Sequence, residues 1–200
     1  MKNKEIVGLI EKHCAECNKL IFPTPGWVYR INKDMKLSIK GADYTLEELL
    51  RDNKIAKEYR NGLCLVYRLS VDDYHRYCHI DKGRVLTKKI IQGKLHTVRP
   101  IASKYKVFKE NQREYSELDT DNLGKIIYME VGALQIGKIN NHSMDRFEKG
   151  EEKGYFSYGG STIVVLIKEN RVEIDEDILK VNSENIEVKV SYGERIGNIL

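Results

Sequence analysis

The chain of 200 residues contains only four cysteines, three prolines and one tryptophan, and it has no long apolar or basic run. No stretch approaches the ~20 apolar residues that a membrane-spanning helix requires. The net charge is only +4, and Lys and Arg are spread along the chain, which argues against a nucleic-acid surface. No signal peptide is visible at the start, so we expect a cytoplasmic protein with reduced thiols and no nucleic-acid partner.

The N-terminal segment carries the strongest candidate for a metal site. Cys14 and Cys17, preceded by His13, have the spacing of half a zinc site. No second Cys-x-x-Cys motif and no paired histidine supplies the remaining ligands, so we expect no metal. The cysteines fit better on the apolar face of an amphipathic helix that the Pro-rich turn at 23–26 ends. We therefore predict an N-terminal helix over 1–20 and one domain over 21–200.

The remaining sequence predicts a mainly β (α+β) fold. Thr45 and Glu48 match a capping box, which predicts a second short helix near 45–56. From Gly62 onward, short apolar runs alternate with turns, a pattern typical of a β-barrel or β-sandwich. The predicted strands lie within 27–40 and at 64–69, 84–91, 94–98, 125–131, 163–167, 172–174 and 186–190. The polar segment 140–154 is predicted to be a solvated loop.

Two histidines and a thiol lie close together in the segment from Asp72 to His79. His75, Cys78 and His79, beside Asp72 and Asp73, are residue types suited to proton transfer. The competing interpretation is a polar turn at the protein surface.

Ser161 follows Gly159 and Gly160 at the start of the apolar run 163–167. A hydroxyl beside a flexible glycyl carbonyl, where a strand begins, is suited to attack its own backbone. Ser161 is therefore a candidate precursor of a cofactor that is made from the chain itself.

Six motifs follow one another along the chain: 73–76 (Asp-Tyr-His-Arg), 93–100 (Gly-Lys-Leu-His-Thr-Val-Arg-Pro), 111–115 (Asn-Gln-Arg-Glu-Tyr), 130–137 (Glu-Val-Gly-Ala, then Gly137), 149–156 (Lys-Gly-Glu-Glu-Lys-Gly-Tyr-Phe) and 159–162 (Gly-Gly-Ser-Thr). In type, order and approximate spacing they resemble the phosphatidylserine decarboxylase family of pyruvoyl enzymes, in its Firmicute-type form. The resemblance extends from about residue 21 to 197.

The resemblance implies a β core of the barrel-sandwich-hybrid type and self-cleavage between Gly160 and Ser161. The products are fragments 1–160 and 161–200, which stay associated through a shared sheet. Residue 161 becomes a pyruvoyl group, and its ketone condenses with the amine of phosphatidylserine and acts as an electron sink. The carboxylate then leaves as carbon dioxide, and phosphatidylethanolamine is the product.

The resemblance also implies roles for individual residues. His75 corresponds to the histidine of the decarboxylation step, and Asn111 and Arg113 correspond to a motif near the substrate site. The lipid substrate implies a peripheral enzyme on anionic lipid at the inner face of the cell membrane. A homodimer stays open as a further partner arrangement.

The sequence departs from the family pattern where self-cleavage uses an acid and a second histidine. Pro25 stands in place of the acid, and its side chain cannot accept a hydrogen bond. Cys78 stands in place of the second histidine, with His79 one residue further, and either is a candidate base. Candidate replacements for the acid are Asp72, Asp73 and Asp81.

Two alternatives stand beside the main interpretation. One is an uncleaved, degenerate relative that binds lipid or a partner protein without catalysis. The other is a pyruvoyl decarboxylase that acts on another amino-acid-like substrate.

Overall fold

A computed structural model describes residues 19–21, 26–28, 37–39, 42–69, 73–93, 111–132, 138–157, 161–183, 188–191 and 193–200. Within these ranges the helices are α1 (Leu46–Leu50), α2 (Asn53–Glu58) and α3 (Glu176–Ser183). The strands are β1 (Lys19–Ile21), β2 (Gly26–Val28), β3 (Leu37–Ile39), β4 (Ala42–Tyr44), β5 (Leu63–Leu69), β6 (Arg76–Cys78), β7 (Gly83–Ile91), β8 (Arg113–Thr120), β9 (Gly124–Val131), β10 (Lys138–Asn141), β11 (Arg146–Phe147), β12 (Glu152–Ser157), β13 (Ser161–Ile167), β14 (Val172–Ile174), β15 (Val188–Val190) and β16 (Arg195–Ile199). Strands dominate these ranges, which confirms the prediction of a mainly β fold.

An eight-stranded antiparallel sheet, which we call the main sheet, forms the centre of the fold with the strand order β11-β7-β8-β9-β13-β5-β2-β15. Its inner strands β5, β9 and β13 are nearly continuous apolar runs, as expected for strands that are covered on both faces. All seven residues of β13 are buried. β13 pairs with β5 from Ser161–Leu69 to Ile167–Leu63, and with β9 from Thr162–Val131 to Ile167–Ile126.

Two three-stranded sheets accompany the main sheet. We call β10-β12-β6 the second sheet and β1-β16-β14 the third sheet, and β3 and β4 form a separate hairpin. One apolar core joins Tyr67, Tyr128 and Ile163 of the main sheet to Tyr77 and Phe156 of the second sheet. The third sheet adds residues to the same core, namely Ile174, Ile196 and Ile199. One face of the main sheet is therefore covered by other sheets, in the manner of a β-sandwich.

Helices α1 and α2 cover the other face of the main sheet. Leu49 and Tyr59 from this helical segment belong to a second core together with Val66, Met129 and Val164 of the main sheet. Because side chains alternate along a strand, residues 162, 164 and 166 of β13 face the helices, and residues 161, 163 and 165 face the second and third sheets.

The predicted capping box is present at the start of α1. The Thr45 Oγ1 accepts a hydrogen bond from the Glu48 N–H at 3.2 Å, and the Glu48 carboxylate accepts one from the Thr45 N–H at 3.0 Å. The helix does not continue to residue 56, however, because Arg51 takes a left-handed φ of 47°. The Asp52 carboxylate then accepts the N–H groups that begin α2, so two short helices replace the predicted one.

The predicted loop 140–154 is wrong in part, because this segment contains β11 and parts of β10 and β12. Within it, the Lys153 ammonium group donates a hydrogen bond to the Asn141 side chain at 3.0 Å. Residues 1–18 and the predicted strand 94–98 lie outside the described residues, and residues 19–21 pair with β16 as a strand. None of the described helices is long and apolar enough to cross a membrane.

Candidate active site

Ser161 is the first residue of β13, and it is fully buried. Its Oγ has no hydrogen-bond partner among the described residues. A buried hydroxyl without a partner costs on the order of 1–3 kcal/mol, so it requires an explanation other than stability.

The predicted cleavage bond lies where the chain passes from one sheet to another. β12, in the second sheet, ends at Ser157, and only residues 158–160 separate it from β13 in the main sheet. Gly160, whose carbonyl carbon the Ser161 hydroxyl is predicted to attack, is one of these three residues and lies outside the described ones. β6 pairs with the strand that precedes this bond, and β9 pairs with the strand that follows it.

His75 lies beside the end of β12. Its carbonyl oxygen accepts a hydrogen bond from the Phe156 N–H at 2.9 Å, and its Nδ1 is 2.6 Å from the Asp73 carbonyl oxygen. Because a carbonyl oxygen only accepts, Nδ1 must carry the proton. In the neutral ring, Nε2 is then the basic nitrogen.

His79 is buried in the core under the second sheet. Its ring is 1% exposed and stacks on Phe147 with ring centroids 3.6 Å apart. Neither ring nitrogen has a hydrogen-bond partner among the described residues. Burial, and then the nearby Lys153 and Lys88 ammonium groups, hold the pKa of His79 well below its ordinary value of 6.5. The ring is therefore neutral at pH 7 and keeps one basic nitrogen.

Cys78 is the last residue of β6, and its thiol is buried. Its carbonyl oxygen accepts a hydrogen bond from the Tyr128 hydroxyl at 3.2 Å. Burial raises the pKa of Tyr128, and the proximity of Cys78 adds to this rise. Cys78 and His79 thus both lie near Tyr128, whose strand β9 adjoins β13.

Asn111 and Arg113 are fully buried, and both donate hydrogen bonds to backbone carbonyl oxygens. Arg113 donates to the carbonyls of Leu49 at 2.7 Å, Glu48 at 2.9 Å and Asn111 at 3.1 Å. Asn111 donates to the Gly132 carbonyl at 2.7 Å. Burial lowers the pKa of Arg113 to about 10. The structure thus brings Arg113 together with α1, on the face of the main sheet that Ser161 does not share.

Asp81, one of the candidate replacement acids, is engaged elsewhere. Its carboxylate accepts hydrogen bonds from the N–H groups of Lys82, Asn122 and Leu123, which fixes the turn between β8 and β9. Pro25 and Asp72 lie outside the described residues. No group of three His, Cys, Asp or Glu residues in the described part of the chain is arranged to hold a metal ion.

Sequence reasoning missed a buried acid on the face of the main sheet that contains Ser161. Glu130 is 0% exposed, and its Oε1 is 2.6 Å from the Lys153 Nζ. Asn141 donates to the other carboxylate oxygen at 3.1 Å. The available signal was a single carboxylate within the apolar run 126–131, because a strand buried on both faces seldom carries an unpaired charge.

The fold is mainly β, and the site centres on a buried serine at the start of β13, an inner strand of the main sheet. The hydroxyl of this serine has no hydrogen-bond partner among the described residues. Comparison with known proteins then assigns the family. The phosphatidylserine decarboxylase family model matches residues 11–198, and the chain belongs to that family.

Several clostridial relatives support this assignment. The chain is 58% identical over 171 residues to phosphatidylserine decarboxylase proenzyme 2 of Clostridium acetobutylicum, which covers 85% of this chain and 59% of that protein. It is 42% identical over 189 residues to the phosphatidylserine decarboxylase proenzyme of Ruminiclostridium cellulolyticum, with 91% and 63% covered. For the proenzyme of Clostridium perfringens (strain ATCC 13124), the identity is 42% over 188 residues, with 90% and 64% covered. The chain spans less than two thirds of the length of these relatives.

Proposed function

We propose that this protein decarboxylates phosphatidylserine to phosphatidylethanolamine with a pyruvoyl group formed from Ser161. The observation that carries the proposal is the buried Ser161 hydroxyl, which has no partner among the described residues at the start of β13. The relative with 58% identity is named a proenzyme, which supports activation by cleavage.

In the proposed cleavage, the Ser161 oxygen forms a bond to the Gly160 carbonyl carbon, and the peptide C–N bond breaks. The hydroxyl proton moves to the amino group of residue 161, so an ester results. Loss of the Cα proton of residue 161 and departure of the Gly160 carboxylate leave a dehydroalanine. Water then replaces its nitrogen with oxygen and releases ammonia, which leaves a ketone at residue 161.

The first step needs a base to take the Ser161 proton. His79 and Cys78 are the candidates, and the neutral ring of His79 is the better suited of the two because its basic nitrogen is already unprotonated and has no partner among the described residues. Its approach to Ser161 requires a side-chain movement, since the two groups are not hydrogen bonded in the described structure.

The residue-161 ketone supplies an electron sink for loss of the substrate carboxylate. The chain then has to deliver one proton to the carbon that lost the carboxylate. We assign this step to Nε2 of His75. The Asp73 carbonyl fixes the Nδ1 proton and orients the ring. Nε2 first takes up a proton from solvent and then passes it to that carbon, which returns the ring to its neutral form.

The topology supports lasting association of the two fragments. Fragment 161–200 would retain β13, which lies between β9 and β5 of the other fragment and pairs with both. Separation would expose two edges of the main sheet and the apolar core on both faces, which is strongly unfavourable.

We further propose that the protein acts at the inner face of the membrane, peripherally on anionic lipid. The net charge of +4 favours weak attraction to such a surface. The lipid serine headgroup would supply the amine that reacts at residue 161.

Denaturing mass spectrometry of the purified protein tests the proposal. We expect fragments 1–160 and 161–200, with the second fragment lighter by one ammonia than a fragment that begins with serine. Vesicles of phosphatidylserine should then release carbon dioxide. An intact chain that binds these vesicles unchanged would contradict the proposal and favour the non-enzymatic alternative, whereas turnover of soluble serine alone would favour a different substrate.

A further inference from the structure

A buried ion pair lies beside the proposed cleavage site and has no part in the proposed cleavage or decarboxylation steps. The side chains of Lys153 and Glu130 are 4% and 0% exposed, and their charged atoms are 2.6 Å apart. Asn141 bridges the pair, since it accepts from the Lys153 Nζ at 3.0 Å and donates to Glu130 at 3.1 Å. The Tyr77 hydroxyl donates to the same Asn141 oxygen at 3.1 Å. The four side chains form one polar cluster inside an apolar core.

Stability alone does not account for this cluster. Removing two charges from water costs about as much as their attraction returns, so a well-packed apolar pair is often as stable as a buried ion pair. Burial raises the pKa of Glu130 even though Lys153 and Asn141 act in the opposite direction, which indicates a residual desolvation cost. The pair therefore has to be explained by its position.

Glu130 is a neighbour of Ser161 across the main sheet. It pairs with Ile163 on β13, and Ser161 lies two residues before Ile163 on the same face. Diagonal neighbours of this kind have Cα atoms about 7–8 Å apart. The strand that carries Glu130 thus pairs with β13 from the residue next to the serine that must react.

Lys153 belongs to the strand that leads into the cleavage bond. Along β12, Glu152 pairs with Cys78 and Gly154 pairs with Tyr77, so Lys153 is the extra residue of a β-bulge. A bulge redirects a side chain and is a specific feature of a fold. Here the Lys153 ammonium group enters the core and reaches Glu130.

We propose that the Glu130–Lys153 pair is a positioning device for self-cleavage at Gly160–Ser161. It ties β12, the strand that precedes the cleavage bond, to β9, which pairs with β13 from Thr162 onward, and so holds the strands before and after the bond in a fixed relation. This inference rests on the proposed self-cleavage. Both residues act through the backbone they hold, and neither is assigned a proton transfer.

Three variants separate positioning from stability. Glu130→Gln and Lys153→Met each leave one buried partner uncompensated, so both should lower the melting temperature and slow cleavage. The double variant Glu130→Leu with Lys153→Met replaces the pair by apolar side chains and should recover most of the melting temperature, because the half-buried Asn141 keeps the Tyr77 hydroxyl as a partner. We expect its cleavage to stay about 10- to 100-fold slower than wild type, because small displacements of reacting groups have effects of that size.

The cleavage rate is measured from the appearance of fragment 161–200. Each variant is assayed the same number of degrees below its own melting temperature. Leu118→Ala provides the matched control, because it destabilises the same apolar core at the far end of the main sheet, in register with Ile126 and Ile167. At the matched interval, this control should cleave like the wild type.

Hydroxylamine gives a second readout that lost stability does not change. It releases fragment 161–200 from the ester, before the elimination step. If the pair positions the attack, hydroxylamine will not restore release in the double variant. If the double variant released fragment 161–200 at the wild-type rate, with or without hydroxylamine, this inference would be overturned and the proposed function would stand. A wild-type protein that never cleaves would instead overturn the proposed function, and this inference with it.

Discussion

Arg113 and Ser161 lie on opposite faces of the main sheet. Arg113 pairs with Val131, and Val131 pairs with Thr162, so these three side chains share one face. Ser161, the adjacent residue on β13, faces the other way. The hydrogen bonds from Arg113 to the carbonyls of Leu49 and Glu48 agree with this orientation. We therefore predict that Arg113 supports the fold beneath the site and does not contact the substrate.

Arg113→Met tests this role. The variant loses the donors for three buried carbonyl oxygens, and we expect the free energy of unfolding to fall by roughly 3–5 kcal/mol, as measured by urea denaturation. Below its melting temperature the variant should keep the wild-type KM for phosphatidylserine vesicles. Arg84→Met, which breaks an exposed pair with Asp119, is the control and should lose no more than about 1 kcal/mol. A raised KM in folded Arg113→Met would restore the substrate role.

His75→Asn separates the two reactions assigned to this chain. An asparagine amide can replace Nδ1 as the donor to the Asp73 carbonyl, but it offers no basic nitrogen in place of Nε2. We expect normal appearance of fragment 161–200 and a decarboxylation rate lower by roughly 10²- to 10⁴-fold. The exposed His142 provides the control, because His142→Asn should leave both rates unchanged. Full decarboxylation by His75→Asn would remove His75 from the proposed proton transfer.

Much of the fold follows from the sequence, because its signals are local. The capping box at Thr45 and the apolar runs of β5 and β13 predict elements that the structure contains. The sequence of β10 and β12 misled the prediction, because Asn141 and Lys153 suggest contact with water. In the fold, both turn inward and satisfy each other and Glu130.

The candidate site is harder to predict because it depends on register between distant strands. The Gly-Ser step makes Ser161 a candidate from the sequence alone. The face on which Arg113 lies follows only from pairing through β9, and the inward direction of Lys153 follows only from a bulge. Neither relation has a local sequence signal, so the family resemblance could suggest Arg113 as a residue near the substrate site but not the face on which it lies, and it assigned no role to Glu130.

His79 makes stability depend on pH in a defined direction. Its folded-state pKa lies well below 6.5 because of burial and then the nearby lysines, so the unfolded chain binds a proton that the folded chain does not. Stability is therefore lost as pH falls below about 6.5, with a slope of up to ~1.4 kcal/mol per pH unit, until the folded-state pKa is reached. His79→Phe keeps an aromatic ring for stacking on Phe147 and removes the titrating group. Urea denaturation from pH 7 to 5 should show a shallower loss for this variant, and an unchanged slope would contradict the assignment.

Ser161→Ala should abolish cleavage without weakening the fold. The variant loses the attacking oxygen, so mass spectrometry should show one intact chain and no carbon dioxide should be released from phosphatidylserine. Because the lost hydroxyl is buried and has no partner in the described structure, its removal should leave the free energy of unfolding unchanged or raise it by about 1–2 kcal/mol, relative to the wild-type chain before cleavage. Thr162→Val is the matched control, since it removes a second buried, unpartnered hydroxyl of the described residues from the opposite face of β13 and should still cleave. If Ser161→Ala lowered the free energy of unfolding by several kcal/mol, the Ser161 hydroxyl would have a structural partner in the folded protein. Its interpretation as an unpaired nucleophile would then fail.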